Sequence, residues 1–254
     1  MNISLHAHAR SICGRRRRNE DACLLDAQLG VFAVLDGMGG YTGGAVASKL
    51  GAEAIGSFFA AQARASGGTW PHALDPQLSL AENRADAAVR LANRRIHARR
   101  EGENECMGST VALLSVSERG AVLAHVGDSR IYRLRGDSFE QLTQDHSLYE
   151  HLREGGVELP PLEDFVYANV ITKALGPQAD QRPTLTTIEL LPGDRLLLCT
   201  DGLSGSLDEG QMAACLRERS TRLACDELVA AAYAHGSKDN ITAIVVAVAT
   251  STAR

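Results

Sequence analysis

No stretch of the chain approaches the ~20 consecutive apolar residues that a membrane-crossing helix needs. Nor does Met1–Arg18 hold an apolar signal core, since it alternates polar and small residues and ends in four arginines. A cytoplasmic protein is the expectation. The six cysteines (Cys13, Cys23, Cys106, Cys199, Cys215, Cys225) show no CxxC or other metal-ligand spacing. They read as reduced, mostly buried thiols and not as disulfide partners. Eight histidines are equally dispersed, with His6 and His8 the one close pair, which argues against a zinc site. A basic excess is missing too: the net charge of −5 excludes a general nucleic-acid binder. What remains is 254 residues at 44% hydrophobic and 22% charged, a globular composition long enough for one large domain or two small ones. No internal repeat, low-complexity tract or boundary interrupts the chain, so a single domain over 1–254 is expected.

Against that background one stretch stands out: Val31-Phe32-Ala33-Val34-Leu35-Asp36-Gly37-Met38-Gly39-Gly40. A short, continuously apolar run bounded by glycine reads as a buried strand. A carboxylate at its end stands at the rim of the core, where its charge is costly unless a cation or donor compensates. The glycines let the backbone approach a ligand closely. Strand, acid and glycine collar together suggest a metal site, with a plain Asp-Gly turn as the simpler alternative.

The rest of the chain reads as strands and paired helices. Ile3–Leu5 is expected as a short edge strand, and Ala22–Leu25 and Val31–Leu35 as a pair joined through Asp26–Gly30. Ala45–Ala65 and Leu80–Arg100 carry helical periodicity on either side of the Ser66–Ser79 loop, and are expected to pack as an antiparallel pair. Thr110–Val116, Ala121–Val126 and Ile131–Leu134 are strand-like, parted by Ser117–Gly120 and Gly127–Ser129. Asp145–Glu154 is expected as a helix capped by Asp145 or Ser147. Gly155–Gln181 is irregular, as a functional loop or flap would be. Leu185–Leu190 and Leu196–Cys199 return to strand around Pro192-Gly193-Asp194; Asp208–Arg217 and Leu223–Ala234 are helical, and Ile241–Val248 is a last buried strand.

The opening pattern recurs. Leu196–Cys199 runs into Thr200-Asp201-Gly202, and Val122–Val126 into Gly127-Asp128; Asp239 precedes the last strand and Glu20-Asp21 an early one. Acids at strand ends can meet on one rim of a sandwich. Carboxylates clustered without His or Cys are hard oxygen ligands suited to Mg²⁺ or Mn²⁺. Alone they repel one another and raise each other's pKa, a penalty that divalent cations remove. Two such ions ~3.5–4 Å apart can activate a bridging water and clamp a phosphoryl group. Arginine beside them adds a planar fork matched to phosphate oxygens, a chemical reason for Arg15-Arg16-Arg17-Arg18-Asn19-Glu20-Asp21 to set base against acid.

Eight motifs then stand in order: Arg16-x-x-Asn19-Glu20-Asp21, Asp36-Gly37-Met38-Gly39-Gly40, Gly108-Ser109-Thr110, Gly127-Asp128-Ser129-Arg130, Leu142-Thr143-x-Asp145-His146-Ser147, Ile171-Thr172-Lys173-Ala174-Leu175-Gly176, Thr200-Asp201-Gly202 and Asp239-Asn240-Ile241-Thr242. Over nearly its whole length the chain resembles the metal-dependent type 2C protein serine/threonine phosphatases, bacterial branch. The resemblance implies an α+β fold, a four-layer αββα sandwich of two central antiparallel sheets flanked by antiparallel helix pairs. It implies hydrolysis of phosphoserine and phosphothreonine by direct attack of a metal-bridging water or hydroxide, without a phosphoenzyme. Carried over by motif, Asp36 bridges two Mn²⁺ or Mg²⁺ ions and Gly37 offers its carbonyl. Glu20 holds the second ion; Asp201 and Asp239 hold the first; Asp128 with Asp201 matches a third, weaker position. Asp21 and Asn240 support from behind, and Arg16 is the phosphate-binding arginine. The remaining three arginines of the run are read as solvated, with a substrate-facing role the alternative. Phosphorylated proteins and a bacterial Ser/Thr kinase are the implied partners, and the chain is expected to act as a monomer.

The sequence departs from the family pattern at Met38, where animal members often have a histidine although bacterial ones commonly carry Met, and at Tyr41 and Gly44, where many bacterial members have His and an acid. No general acid for the leaving alkoxide is legible. His146 stands in the motif series, with a structural role the simpler reading. Two other classes weigh less. A non-catalytic regulator on the same fold would be expected to lose ligands that are all present, and a nucleic-acid binder built on the arginine run conflicts with the net charge.

Overall fold

All five residues of Val31–Leu35 are buried, because the strand is covered on both faces. Val31, Ala33 and Leu35 face a layer of helices, while Phe32 and Val34 face a second sheet. Two-sided burial removes the polar alternation that a half-exposed strand would carry. The computed structural model describes residues 3–39, 43–64, 70–117 and 120–251. Met1, Gly40, Tyr41, Ala65, the first residues of the Ser66–Ser79 loop and the middle of the Ser117–Gly120 turn lie outside the described residues.

In chain order the elements of the first half are β1 (Ile3–Ile12), β2 (Ala22–Asp26), β3 (Val31–Leu35), β4 (Gly37–Met38), α1 (Gly43–Arg64), α2 (Leu80–His97), β5 (Gly108–Ser109), β6 (Val111–Ser117) and β7 (Gly120–Val126). There follow β8 (Arg130–Arg135), β9 (Ser138–Gln141), α3 (Leu148–Glu154), β10 (Thr184–Ile188), β11 (Arg195–Cys199), α4 (Asp201–Ser204), α5 (Glu209–Leu216), α6 (Thr221–Ala234) and β12 (Ile241–Thr250). Two five-stranded sheets form, in the orders β1-β12-β11-β8-β9 and β10-β7-β6-β3-β2, with β4 and β5 as a separate pair. Every pairing is antiparallel.

Three apolar layers hold these parts together, and together they are the expected four-layer αββα sandwich. One lies between α1, α2 and the β3 sheet, one between the two sheets, and one between the β11 sheet and α5, α6. β11 alternates like β3: Leu196 and Leu198 enter the middle layer, Leu197 and Cys199 the outer one. Each such large side chain fully removed from water contributes about 1.5–3 kcal/mol.

Several boundaries differ from expectation for identifiable reasons. The strand at Ile3–Leu5 runs on to Ile12, because β12 offers a partner at every position from Thr250 back to Ile241. The helix expected to end at Arg100 stops at His97 with Ala98 as cap; at its start Ser79 and Glu82 form a reciprocal capping box. α3 starts at Leu148 because Ser147 takes the cap, its hydroxyl accepting from Glu150 N, while Asp145 is drawn into an ion pair with Arg130. The strands on either side of Pro192–Asp194 enter different sheets, β10 beside β7 and β11 beside β8 and β12. β9, the β4–β5 pair and the single-turn α4 were not legible in the sequence pattern.

Candidate active site

The registers bring the acids to one end of the sandwich. Ala22 lies opposite Leu35, so Glu20-Asp21 meets Asp36. Val34 faces Ala112 and Val111 faces Val126, which carries the same edge across to Asp128. On the second sheet Cys199 pairs with both Arg130 and Ala243, which sets Asp201 beside Asp128 and Asp239. Arg16, Glu20, Asp36, Gly37, Asp128, Asp201, Asp239 and Asn240 all line one cleft of about 800 Å³. Each of the carboxylates is part-buried.

The backbone around Asp36 is pinned on both sides. Its N–H donates to Thr110 Oγ1 at 2.9 Å and its carbonyl accepts from Thr110 N at 2.8 Å and Ser109 Oγ at 3.0 Å. Gly37 N donates to the Glu20 carbonyl at 3.2 Å, tying the two acidic segments together. A Cβ on Gly44 would stand 2.7 Å from the Gly37 carbonyl oxygen and 3.0 Å from Glu20 Cδ. That carbonyl and that carboxylate therefore border one small space, which a side chain at 44 would fill. This is a physical reason for glycine at position 44.

Asp21 sits behind this row. Its Oδ2 accepts from Thr242 Oγ1 at 2.6 Å and Thr200 Oγ1 at 2.9 Å, whereas Oδ1 is buried with no partner. Asn240 holds the neighbouring segment: its Oδ1 accepts from Glu20 N at 2.8 Å, and its Nδ2 donates to the Cys13 and Arg18 carbonyls. Arg16 reaches Asp239 Oδ2 at 2.7 Å and the Lys238 carbonyl at 3.0 Å.

The cluster is electrostatically loaded. Burial first, then the charges of Asp21, Asp201 and Asp128, hold the Asp36 carboxyl well above the ordinary range. Burial pushes Asp128 up to about 7, reinforced by Asp201 and Asp145. Burial likewise pushes Asp21 up to about 7 against the opposing threonine hydrogen bonds. Asp201 is raised by burial too, opposed by the hydrogen bond it accepts from Asp36. As they stand, no three His, Cys, Asp or Glu among the described residues converge tightly enough to hold an ion. The donor set nonetheless fits hard divalent cations: part-buried carboxylates that repel one another, a bordering carbonyl, and an Asp201 Oδ1 that is buried without a partner.

Sequence reasoning missed the threonine clamp on Asp21, the role of Thr110 and Ser129 under Asp36, and the lining contributed by Asn169, Ser206, Ser237 and Lys238. Thr110 and Thr242 stand within the motif series and were its available signal; Asn169 and Ser206 had none. His146 is not in the cleft. It stacks on His125 at 4.6 Å, its Nδ1 accepts from Gly127 N, its Nε2 meets Thr184 Oγ1, and burial pushes it down to about 3. A neutral ring so placed supports the turn before Asp128, and its one N–H, on Nε2, is turned to Thr184 and away from the cleft. No histidine lines the cleft among the described residues.

The chain is similar to known proteins over most of its length. The family model described as protein phosphatase 2C matches residues 10–234. The serine/threonine phosphatase stp of Listeria innocua is 30% identical over 258 residues, 95% of each chain. The protein phosphatase PhpP of Streptococcus pneumoniae is 32% identical over 226 residues, 85% of each. Among solved structures, the catalytic domain of the serine threonine protein phosphatase PstP in complex with two manganese ions superimposes with a TM-score of 0.82. It is 32% identical, and the match covers 98% of this chain and 100% of that one.

Proposed function

The chain belongs to the protein phosphatase 2C family, and on that premise we propose how its cleft hydrolyses phosphoserine and phosphothreonine in proteins. It is a protein-serine/threonine phosphatase. The observation that carries the reading is the gathering of Glu20, Asp36, Asp128, Asp201 and Asp239 on one rim, with Arg16 beside them. We assign the catalytic domain to the whole of residues 1–254.

Asp36, with the Gly37 carbonyl and Glu20 on one side and Asp201 and Asp239 on the other, would hold two divalent cations, Mn²⁺ or Mg²⁺. Asp128 and Asp201 would take a third. Such ions, when bound, would supply Lewis acidity toward the phosphoryl oxygens and a water nucleophile competent at neutral pH. The chain's own work is positional. Thr110 and Ser109 fix the Asp36 backbone, Thr200 and Thr242 orient Asp21 behind it, and Asn240 fixes the Glu20 segment. Arg16 offers its guanidinium fork to the phosphate oxygens from the Asp239 side. The manganese of the PstP catalytic domain supports Mn²⁺ as the ion to use first.

The same reading takes phosphorylated proteins as partners, a bacterial Ser/Thr kinase as the opposing enzyme, the cytoplasm as the location and a monomer as the working form. No helix among the described residues is long and apolar enough to cross a membrane. The test is Mn²⁺-dependent release of phosphate from a phosphothreonine peptide. Asp36→Asn should lower kcat by about 10³-fold or more, as expected when transition-state charge loses its stabilisation. Near-normal turnover by that variant would overturn the assignment.

A further inference from the structure

The arginine run is only partly absorbed by the phosphate site. Arg16 is engaged with Asp239 and the Lys238 carbonyl. Arg15 and Arg17 are exposed, and neither has a carboxylate partner among the described residues. They are displayed from a fixed loop. Gly14, at φ +61°, opens a turn closed by Arg16 N donating to the Cys13 carbonyl, and Cys13 Sγ meets the Arg16 carbonyl at 2.9 Å. The buried Asn240 amide then clamps both ends, at Cys13 and at Arg18, through 2.9 and 2.8 Å bonds. Arg15 lies over the Tyr233 ring, its guanidinium carbon 5.7 Å from the centroid, and the exposed Lys238 lines the cleft beside Arg16.

An acidic floor therefore carries a cationic rim on a chain whose net charge is −5. Lone exposed charges are cheap and need no partner, but a clamped loop that sets two of them on either side of Arg16, the arginine of the run that lines the cleft, is a built feature. Guanidinium matches phosphoryl oxygens in a planar fork and binds them more strongly than a single carboxylate oxygen. A second phosphate on the same substrate segment carries up to two charges near neutral pH. We propose that Arg15 and Arg17 form an accessory anion rim that selects substrates phosphorylated twice in close succession, holding one phosphate while the other enters the cleft. The proposal rests on the phosphatase reading and names its substrate class.

The test uses three phosphothreonine peptides that differ only in a neighbouring residue: neutral, glutamate, or a phosphonate analogue of phosphoserine whose C–P bond the enzyme cannot hydrolyse. Initial rates are measured for the full chain and for Arg15→Ala/Arg17→Ala, with p-nitrophenyl phosphate as control. The wild type should turn over the phosphonate peptide with the lowest KM, and the double variant should raise that KM by about 5–20-fold at low salt. The neutral peptide and p-nitrophenyl phosphate should change less than about twofold, since exposed charges away from the reacting atoms contribute little. Arg15→Glu/Arg17→Glu should deepen the loss, and added salt should shrink it. Equal preference for glutamate and phosphonate, no preference at all, or an equal loss on every substrate would each overturn the rim. Absence of Mn²⁺-dependent turnover on every substrate would overturn the phosphatase reading along with it.

Discussion

Asp36→Asn should move stability and activity in opposite directions. In the folded chain Asp36, Asp21 and Asp128 bind protons more tightly than in the unfolded chain, with Asp21 and Asp128 raised from 3.8 to about 7. For raised carboxyls the sign is fixed. Stability is fully present below the unfolded pKa near 4 and falls as pH rises through the folded values, from pH 4 toward about 7 for Asp21 and Asp128, with the raised Asp36 carboxyl acting in the same direction. Each proton in this difference contributes a slope of roughly 1–2 kcal/mol per pH unit. Asparagine removes one charge from the cluster, so the variant loses one proton from the count. The carboxylates open to the cleft, so solvent screening leaves about 1–2 kcal/mol of relief near pH 8. At about 2–4 °C per kcal/mol for a chain of this size, the chelator-treated variant should melt about 2–8 °C above its parent at pH 8 and close to it at pH 5. Saturating Mn²⁺ reverses the order, because an ion at one hundred times its Kd adds about 3 kcal/mol to a chain that binds it. The assay is thermal unfolding of both proteins in EDTA and in Mn²⁺ at the two pH values. A variant less stable than its parent in EDTA at pH 8, or stabilised equally by Mn²⁺, would refute the reasoning.

Arg16→Ala should raise KM for a phosphopeptide by about tenfold with a smaller effect on kcat, since it removes a charge-assisted contact to phosphate; an unchanged KM counts against its role. Gly44→Ala places a methyl against the Gly37 carbonyl and Glu20. Titration calorimetry should report Mn²⁺ affinity weakened by about 10–100-fold, with stability lowered by about 1–3 kcal/mol; normal affinity would show that this space is not an ion site. Asp145→Ala strips Arg130 of a part-buried partner bonded at 2.6–3.0 Å beside Asp128. Urea unfolding should show a loss of about 2–4 kcal/mol, below the full value for a buried pair because both side chains keep some exposure; a change under 1 kcal/mol, roughly the value of a surface pair, would refute it.

Local pattern carried much of the chain. The two-sided strands were legible because burial on both faces leaves an unbroken apolar run, as in Val31–Leu35 and Leu196–Cys199. The α2 start at Leu80 was legible from apolar periodicity, while the Ser79–Glu82 capping box that fixes it emerged only in the structure. The motif series marked the acids one by one. Short elements escaped: β9 is four residues of mixed polarity, and α4 is a single turn whose Asp-Gly reads equally as a loop. The choice of Ser147 over Asp145 as a cap turned on Arg130, a partner fifteen positions away.

The sequence alone thus determined which residues are apolar, which segments curl or extend, and which acids stand at strand ends, because these depend on neighbours within a few residues. Only the tertiary structure decided that β10 and β11 part company into different sheets, that Asn240 clamps the arginine loop, and that Glu20, Asp36, Asp128, Asp201 and Asp239 share one cleft. Those outcomes rest on pairings between residues up to two hundred or more positions apart, such as Asp21 with Thr242. The cost of bringing like charges together, which makes the site a site, exists only once the sheets have closed over one another.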